Sequence, residues 1–350
     1  DNSKINKIET LLNLLSENNK FMGSLTIRKG DKILFNKAYG FSDILNNKKA
    51  STSTKYRIGS ISKMFTSVMI FQLLETNKLK LETKLSEFFP EIPNAETITI
   101  SNLLNHRSGI HSFTNDKDYL TWNTKAKSQS EMIKIISKGI PEFKPNEKAD
   151  YSNSNYVLLG YIIEKLTKKD YSTNLKEMII DKIGLKDTYY GGQVKIDSNE
   201  SYSYNFENKK WVQEAVTDMS IPHGAGAIVS TPNDITLFIT SLFNEKLVSK
   251  NSLNEMTTIT DGYGKGIFEM FFYEHASFGH TGGIDAFHSI LSYFPKDDLS
   301  IALTCNGLNY DMNNIGLGIL SIYYNKDYEI PSFKKINIKP EIIKKYEGIY

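Results

Sequence analysis

The sequence predicts an α+β protein with strands near both ends of the chain and helices between them. Three observations predict it: an amphipathic helix followed by a hairpin at the start, strongly apolar helical periodicities in the middle, and four strand-like runs in the last third. Ile5, Ile8, Leu11, Leu12 and Leu15 recur at three- and four-residue intervals, so the chain opens on a helix that stops at the polar run Glu17–Lys20. Two strands follow, Phe21 to Arg28 and Lys32 to Tyr39. Between them Gly30 supplies the positive φ that a tight turn needs.

The segment Thr52 to Ile58 leads into Gly59-Ser60-Ile61-Ser62-Lys63, where Ile61, Met64, Phe65, Val68, Met69 and Leu73 mark a helix buried on most sides. Lys80 to Pro93 reads as a loop with short helical pieces. Thr99 or Ser101 caps a short helix that Gly109 ends, and Glu131 to Lys138 forms another. The loop residues Asp150 to Tyr156 precede a strong apolar helix built on Val157, Leu158, Tyr161, Ile162 and Leu166. Tyr189 to Val216 is a polar and aromatic excursion containing a hairpin. Thr231 caps a helix with Pro232 at its first position, and the glycines of His223–Gly226 read as sites of close backbone packing. Gly264 to Phe272, His275 to Gly279, Phe287 to Phe294 and Leu299 to Cys305 then form an antiparallel meander, closed by a helix from Met312 to Tyr324.

Composition narrows the function classes. The chain has 350 residues, 40% hydrophobic and 23% charged, with a formal net charge of +2, an ordinary globular balance for about two domains. That charge, spread without a dense Lys/Arg stripe, does not argue for nucleic acid or an anionic membrane. No apolar run is long enough to span a membrane, and the first residues lack a charged-then-apolar leader pattern. Cys305 is the only cysteine, which leaves no internal disulfide and no thiolate cluster. His106 and His111 fit no metal-binding spacing, so no metal is expected, and His106 is read as a packed, hydrogen-bonded histidine.

Chemistry concentrates at three places. Ser60 and Lys63 lie three apart at a helix start, where Cβ atoms are roughly 5–6 Å apart, so the lysine can reach the serine hydroxyl. A desolvated lysine has a lowered pKa and can exchange a proton with such a nucleophile. Tyr151 and Asn153 sit just before a helix, one offering a phenol that beside cations can be ionised or share its proton and the other an amide for hydrogen bonding. Gly279-His280-Thr281-Gly282-Gly283 falls between two strands, where glycines let a strand edge approach a ligand. Phe113 to Lys127, with Tyr119 and Trp122, is a surface lid or a substrate wall. Short motifs also arise by chance: Ser332 and Lys335 repeat the Ser-x-x-Lys spacing in a polar tail, and Tyr323 and Asn325 repeat Tyr-x-Asn.

Ser60-x-x-Lys63, Tyr151-x-Asn153 and His280-Thr281-Gly282, in that order, resemble the motif set of the penicillin-recognising serine hydrolases. This group includes class C β-lactamases, D-alanyl-D-alanine carboxypeptidases, D-aminopeptidases and related esterases; class A enzymes carry a parallel set. Leu103–Gly109, Ser230–Asp234 and Tyr263-Gly264-x-Gly266 add to a likeness covering roughly Phe21 to Tyr324. The resemblance implies a β-lactamase/transpeptidase-like fold. Residues 1–59 and 260–330 would build the sheet domain, 60–259 a mainly helical domain, and 331–350 a linker toward a truncated C-terminal module. It implies acyl transfer through Ser60, with Lys63 and Tyr151 moving protons, an oxyanion hole from the Ser60 and Gly283 N–H groups, and no need of a metal or organic cofactor. Asn153, His280, Thr281 and Gly282 would contact substrate, as would Tyr119 and Trp122 if their segment is a wall.

Many β-lactamases have lysine where His280 stands, and histidine is mostly neutral near pH 7. The reading therefore favours a D-alanyl carboxypeptidase, D-aminopeptidase or esterase over a class C-like β-lactamase, acting on a small-molecule or peptidoglycan-derived substrate outside the cytoplasm. A catalytically silent sensor of the same fold is the alternative of another class. It would have little need for all these residues together.

Overall fold

The computed structural model describes residues 2–334. Helix α1 (Asn2–Glu17) leads into strands β1 (Phe21–Lys29) and β2 (Lys32–Tyr39), and a 3-10 turn at Gly59–Ile61 opens α2 (Ser62–Glu75). Further along come α3 (Ile100–Leu104), α4 (Asn153–Thr167), the hairpin β3 (Tyr204–Glu207) and β4 (Lys210–Gln213), and α5 (Pro232–Phe243). The chain then forms β5 (Phe268–Phe272), β6 (His275–Ile284), β7 (Phe287–Phe294), β8 (Leu299–Leu308) and α6 (Met312–Tyr323).

Strands from the two ends make one antiparallel sheet in the order β5-β6-β7-β8-β1-β2, and β3 joins it through Tyr204 opposite Gly307 of β8. The junction is the β1–β8 ladder, where Leu25 faces Leu303 and Ile27 faces Ile301. Successive side chains of a strand point to opposite faces, and β1 buries both. Phe21, Leu25 and Ile27 join the core under α1 and α6. Residues of the other parity are more polar: the Ser24 hydroxyl lies 2.7 Å from that of Tyr56, and Arg28 donates to Asn233 of α5 at 2.8 Å. The sheet is therefore sandwiched, with α5 on its second face, where Phe238 of α5 also stacks on Phe65 of α2 with ring centroids 3.7 Å apart. That helix lies within the stretch 60–259 expected to be the helical domain, yet it packs on the sheet.

Three boundaries differ from the sequence reading. Helix α3 ends at Leu104 instead of near Gly109, because His106 takes a left-handed conformation with φ 59°. The expected cap is present: Thr99 and Asn102 form a reciprocal capping box. The strand expected from Gly264 begins at Phe268, since Lys265 N–H bonds to Met256 O and holds that segment in a loop. Strand β6 continues to Ile284, so His280 to Gly283 lie within a strand instead of between two. The expected C-terminal linker falls mostly on residues 335–350, outside the described residues.

Helix α2 runs through the middle of the helical layer with every residue from Ser62 to Leu73 buried. Most of its polar groups are consequently tied, although Gln72 Oε1 has no partner. Thr66 donates to Gly224 O at 2.6 Å and Ser67 to Lys265 O at 2.6 Å. Among the described residues, no helix is long and apolar enough to cross a membrane.

Candidate active site

Ser60 sits on the 3-10 turn that precedes α2, packed directly against strand β6. The closeness of that packing explains two glycines. A Cβ on Gly282 would lie 2.0 Å from Ile58 O, and one on Gly59, whose φ is +52°, would lie 2.7 Å from Gly283 N. Only residues without side chains bring the serine turn and the strand together here. Ser289 of β7 fastens the same turn by donating to Ile58 O at 2.9 Å.

Gly283 is opposite His288, one residue before Ile284 and Phe287 close a two-residue hairpin. Hydrogen-bonded and non-bonded pairs alternate in an antiparallel ladder. This alternation turns the Gly283 N–H away from β7, toward the edge on which Ser60 stands.

Lys63 is completely buried. Its Nζ lies 2.9 Å from Ser60 Oγ, 2.8 Å from Asn153 Oδ1 and 2.8 Å from Ala225 O. None of these three partners is a carboxylate, so burial in low dielectric prevails and holds the lysine pKa well below its usual value. The Tyr151 ring lies 4.8 Å from this Nζ. Burial raises the Tyr151 pKa, while a hydrogen bond with Ser60 pulls the other way. The phenol is therefore protonated at neutral pH and is not the ionised tyrosine that nearby cations would favour, because burial outweighs the hydrogen bond.

Asn153 is fixed from three sides. Its N–H donates to Ser112 Oγ at 3.0 Å and its Nδ2 to Thr114 Oγ1 at 2.9 Å, which leaves Oδ1 directed at Lys63. His106 stacks 4.5 Å from Tyr151 and accepts the Ser152 N–H at Nδ1, 3.1 Å away. Its pKa is lowered by burial, then by Lys63 and His280, so it is a neutral wedge behind the tyrosine.

A cavity of about 480 Å³ opens over Ser60, with Asn153, Ala225 and Gly283 in its wall. Tyr119 also lines it; its pKa is pushed up to about 12, mainly by burial. Trp122 does not line the cavity but packs edge-on to Tyr119 at 5.2 Å.

His280 and Thr281 do not line it either. His280 is 2% exposed beneath Phe268 and Tyr151, with Nδ1 donating to Thr281 O at 2.5 Å; burial, then Lys63, lowers its pKa to about 3. The sequence reading had these residues lining the substrate edge. In the fold β6 turns His280 inward, where the imidazole backs the tyrosine. Thr281, of opposite parity, is exposed.

Sequence reasoning missed several cavity residues. The Ala225 carbonyl belongs to a stretch read only as close packing, and it is aimed at Lys63 by the short helix His223–Gly226. Glu214 comes from the polar and aromatic excursion, Thr217 from just beyond its end, and Asp285 from a hairpin turn. None of these stands in a recognisable motif; the two glycines flanking Ala225 were the nearest signal.

The Beta-lactamase family model matches residues 17–319. The chain belongs to the penicillin-recognising serine hydrolase family. Within this family it is 29% identical over 315 residues to PbpX of Bacillus subtilis strain 168, which carries the name of a penicillin-binding protein; the match covers 89% of this chain and 75% of PbpX. It is likewise 29% identical over 255 residues to the teichoic acid D-alanine hydrolase of Staphylococcus aureus, covering 72% of this chain and 61% of that protein. The fold superposes on the D-amino acid amidase of Ochrobactrum anthropi SV3 complexed with L-phenylalanine. The TM-score is 0.79, with 25% identity and coverage of 92% of this chain and 99% of the amidase. The β-lactamase-like fold is thus established, and the named hydrolases share it.

Proposed function

We propose that this protein hydrolyses esters or amides of D-amino acids through a covalent acyl-enzyme on Ser60. The observation that carries the reading is the setting of Lys63: a buried amine held by two fixed acceptors with the serine hydroxyl as its third neighbour. A neutral lysine amine has two N–H donors and one lone pair. Asn153 Oδ1 and Ala225 O can only accept, so they take both donors and leave the lone pair facing Ser60 Oγ.

Acylation then proceeds with each proton placed. Ser60 Oγ bonds to the substrate carbonyl carbon as its proton moves to Lys63 Nζ, and the carbonyl oxygen becomes an oxyanion within reach of the Ser60 and Gly283 N–H groups. The protonated Tyr151, hydrogen-bonded to Ser60, relays a proton from Lys63 to the leaving oxygen or nitrogen as its bond to carbon breaks. Water attacks the ester in the reverse sense, with Lys63 accepting its proton, and Ser60 is regenerated as the acid departs. His106 and His280 act by holding the Tyr151 ring.

The names of the D-alanine hydrolase and the D-amino acid amidase support the substrate class. Action at the cell envelope is part of the same proposal, resting on relatives named for penicillin binding and for teichoic acid. Against lactam hydrolysis as the main activity stands the neutral, buried His280 at the position where a lysine would hold a drug carboxylate.

Intact-protein mass spectrometry tests the reading, with a fluorophosphonate, a penicillin and D-alanine methyl ester each added to wild type and to Ser60→Ala. Fluorophosphonate labelling and ester hydrolysis that both require Ser60 are expected. Ester hydrolysis unchanged in Ser60→Ala would refute it, and rapid penicillin turnover with no ester hydrolysis would assign the protein to the lactamases.

A further inference from the structure

The cavity over Ser60 is electrically one-sided. Glu214 and Asp285 line it, and among the described residues no lysine, arginine or histidine does. The two carboxylates are not equivalent. Asp285 is closed off by partners: Arg57 Nη1 at 3.3 Å, with both side chains 3% exposed, and the Thr217 N–H and hydroxyl at 3.0 and 2.6 Å. Its charge is therefore matched by that of Arg57.

Glu214 leaves the β3–β4 hairpin and is held only by neutral donors, the Ala215 N–H at 2.8 Å and the Asn205 side-chain amide. Those contacts orient the carboxylate without balancing it. Glu214 also lies near enough to Asp285 to help raise that carboxyl's pKa, after the larger effect of burial. The rest of the wall includes Phe113, Leu120, Pro222 and Ile284 beside neutral polar groups, which suits a small apolar group and offers a substrate carboxylate no charged partner.

Resting on the acyl-enzyme reading above, we propose that Glu214 is the specificity-determining residue of this cavity and selects acyl groups bearing a primary ammonium. A D-aminoacyl group with a free amine satisfies both halves of the wall. The ammonium meets the unbalanced carboxylate, and the side chain meets the apolar residues. An N-acylated amino acid lacks the charge, and a carboxylate-bearing acyl group is repelled.

The test uses the full chain with D-alanine methyl ester and N-acetyl-D-alanine methyl ester, reading the ratio of their kcat/KM values. Wild type should favour the free amine. Glu214→Gln should cut the ratio about 10- to 100-fold, the usual weight of a charge-assisted hydrogen bond, and Glu214→Asp should restore most of it. Wild type alone gives a second reading: its preference should fade as pH rises through the ester ammonium pKa, near the α-amino value of about 7.7–8.0.

A wild type with no preference, or a Glu214→Gln ratio equal to wild type while both label at Ser60 with fluorophosphonate, would overturn the role of Glu214. The hydrolase reading would survive that result. If neither ester hydrolysis nor labelling depends on Ser60, the hydrolase reading fails and this inference fails with it.

Discussion

Replacing Lys63 by methionine separates its chemical role from its structural one. The substitution keeps a long unbranched side chain but leaves Asn153 Oδ1 and Ala225 O without the donor each now has at 2.8 Å. Each stranded acceptor costs about 1–3 kcal/mol. Opposing this, methionine removes a polar group that is desolvated in the folded protein. Every unit by which burial depresses the lysine pKa corresponds to about 1.4 kcal/mol of penalty on its charged form.

The balance depends on pH, and its sign is fixed. The Lys63 pKa is lower folded than unfolded, so between the two values the unfolded chain binds more protons and wild-type stability rises with pH. That contribution is complete above the unfolded lysine value and is lost as pH falls through the folded one. Lys63→Met lacks the titration. Urea unfolding between pH 5 and 10 should therefore show wild type gaining on the variant as pH rises. The kcat/KM for D-alanine methyl ester should fall about 10²–10⁴-fold, the usual contribution of a positioned proton acceptor. A variant retaining more than a tenth of the activity, or a stability difference that is flat with pH, would refute the placement of a neutral lysine beside Ser60.

Neighbouring glycines should behave oppositely. Gly282→Ala sets a Cβ 2.0 Å from Ile58 O and should destabilise by about 1–3 kcal/mol, whereas Gly283→Ala meets nothing nearer than Phe287 O at 4.0 Å and should melt close to wild type; equal melting temperatures for the two would contradict the packing. Arg57→Met strands the buried Asp285 and should cost about 3–5 kcal/mol, part of it recovered in Arg57→Met/Asp285→Asn, as read by denaturant unfolding. His111 lies between Glu142 and Asp116 on the loop that carries Ser112 and Thr114, and its pKa is raised by the Glu142 hydrogen bond first. Its stabilising contribution should be full below the unfolded histidine value and disappear as pH rises through the folded one. An NMR titration of the ring should show an elevated pKa that drops in Glu142→Gln. Thr114→Val removes the partner of Asn153 Nδ2 and should lower kcat/KM several-fold with the melting temperature little changed.

Local pattern alone determined much of this protein. The period of Ile8, Leu11, Leu12 and Leu15, the turn at Gly30, the Thr231 cap and the alternating runs of the last third identify elements because each depends on neighbours in sequence. Ser60 and Lys63 were legible for the same reason, since three residues on a helical turn are neighbours in space. The resemblance of the ordered motifs added Tyr151, Asn153 and Gly283, all of which converge on Ser60 or its cavity.

Tertiary structure decided what depends on residues distant along the chain. That Lys63 is bare of carboxylates follows from how α2, α4 and the His223–Gly226 turn pack, and burial there lowers the lysine pKa while it raises that of Tyr151. The sequence showed His280 but not its direction. Where β6 continues as a strand, parity sends the imidazole inward and leaves the cavity wall to residues no motif marks. Glu214 is charged and ordinary in sequence. Its proposed role arises because the hairpin delivers it to a cavity that, among the described residues, no lysine, arginine or histidine lines, and the sum of charges across a cavity is a property of the folded chain.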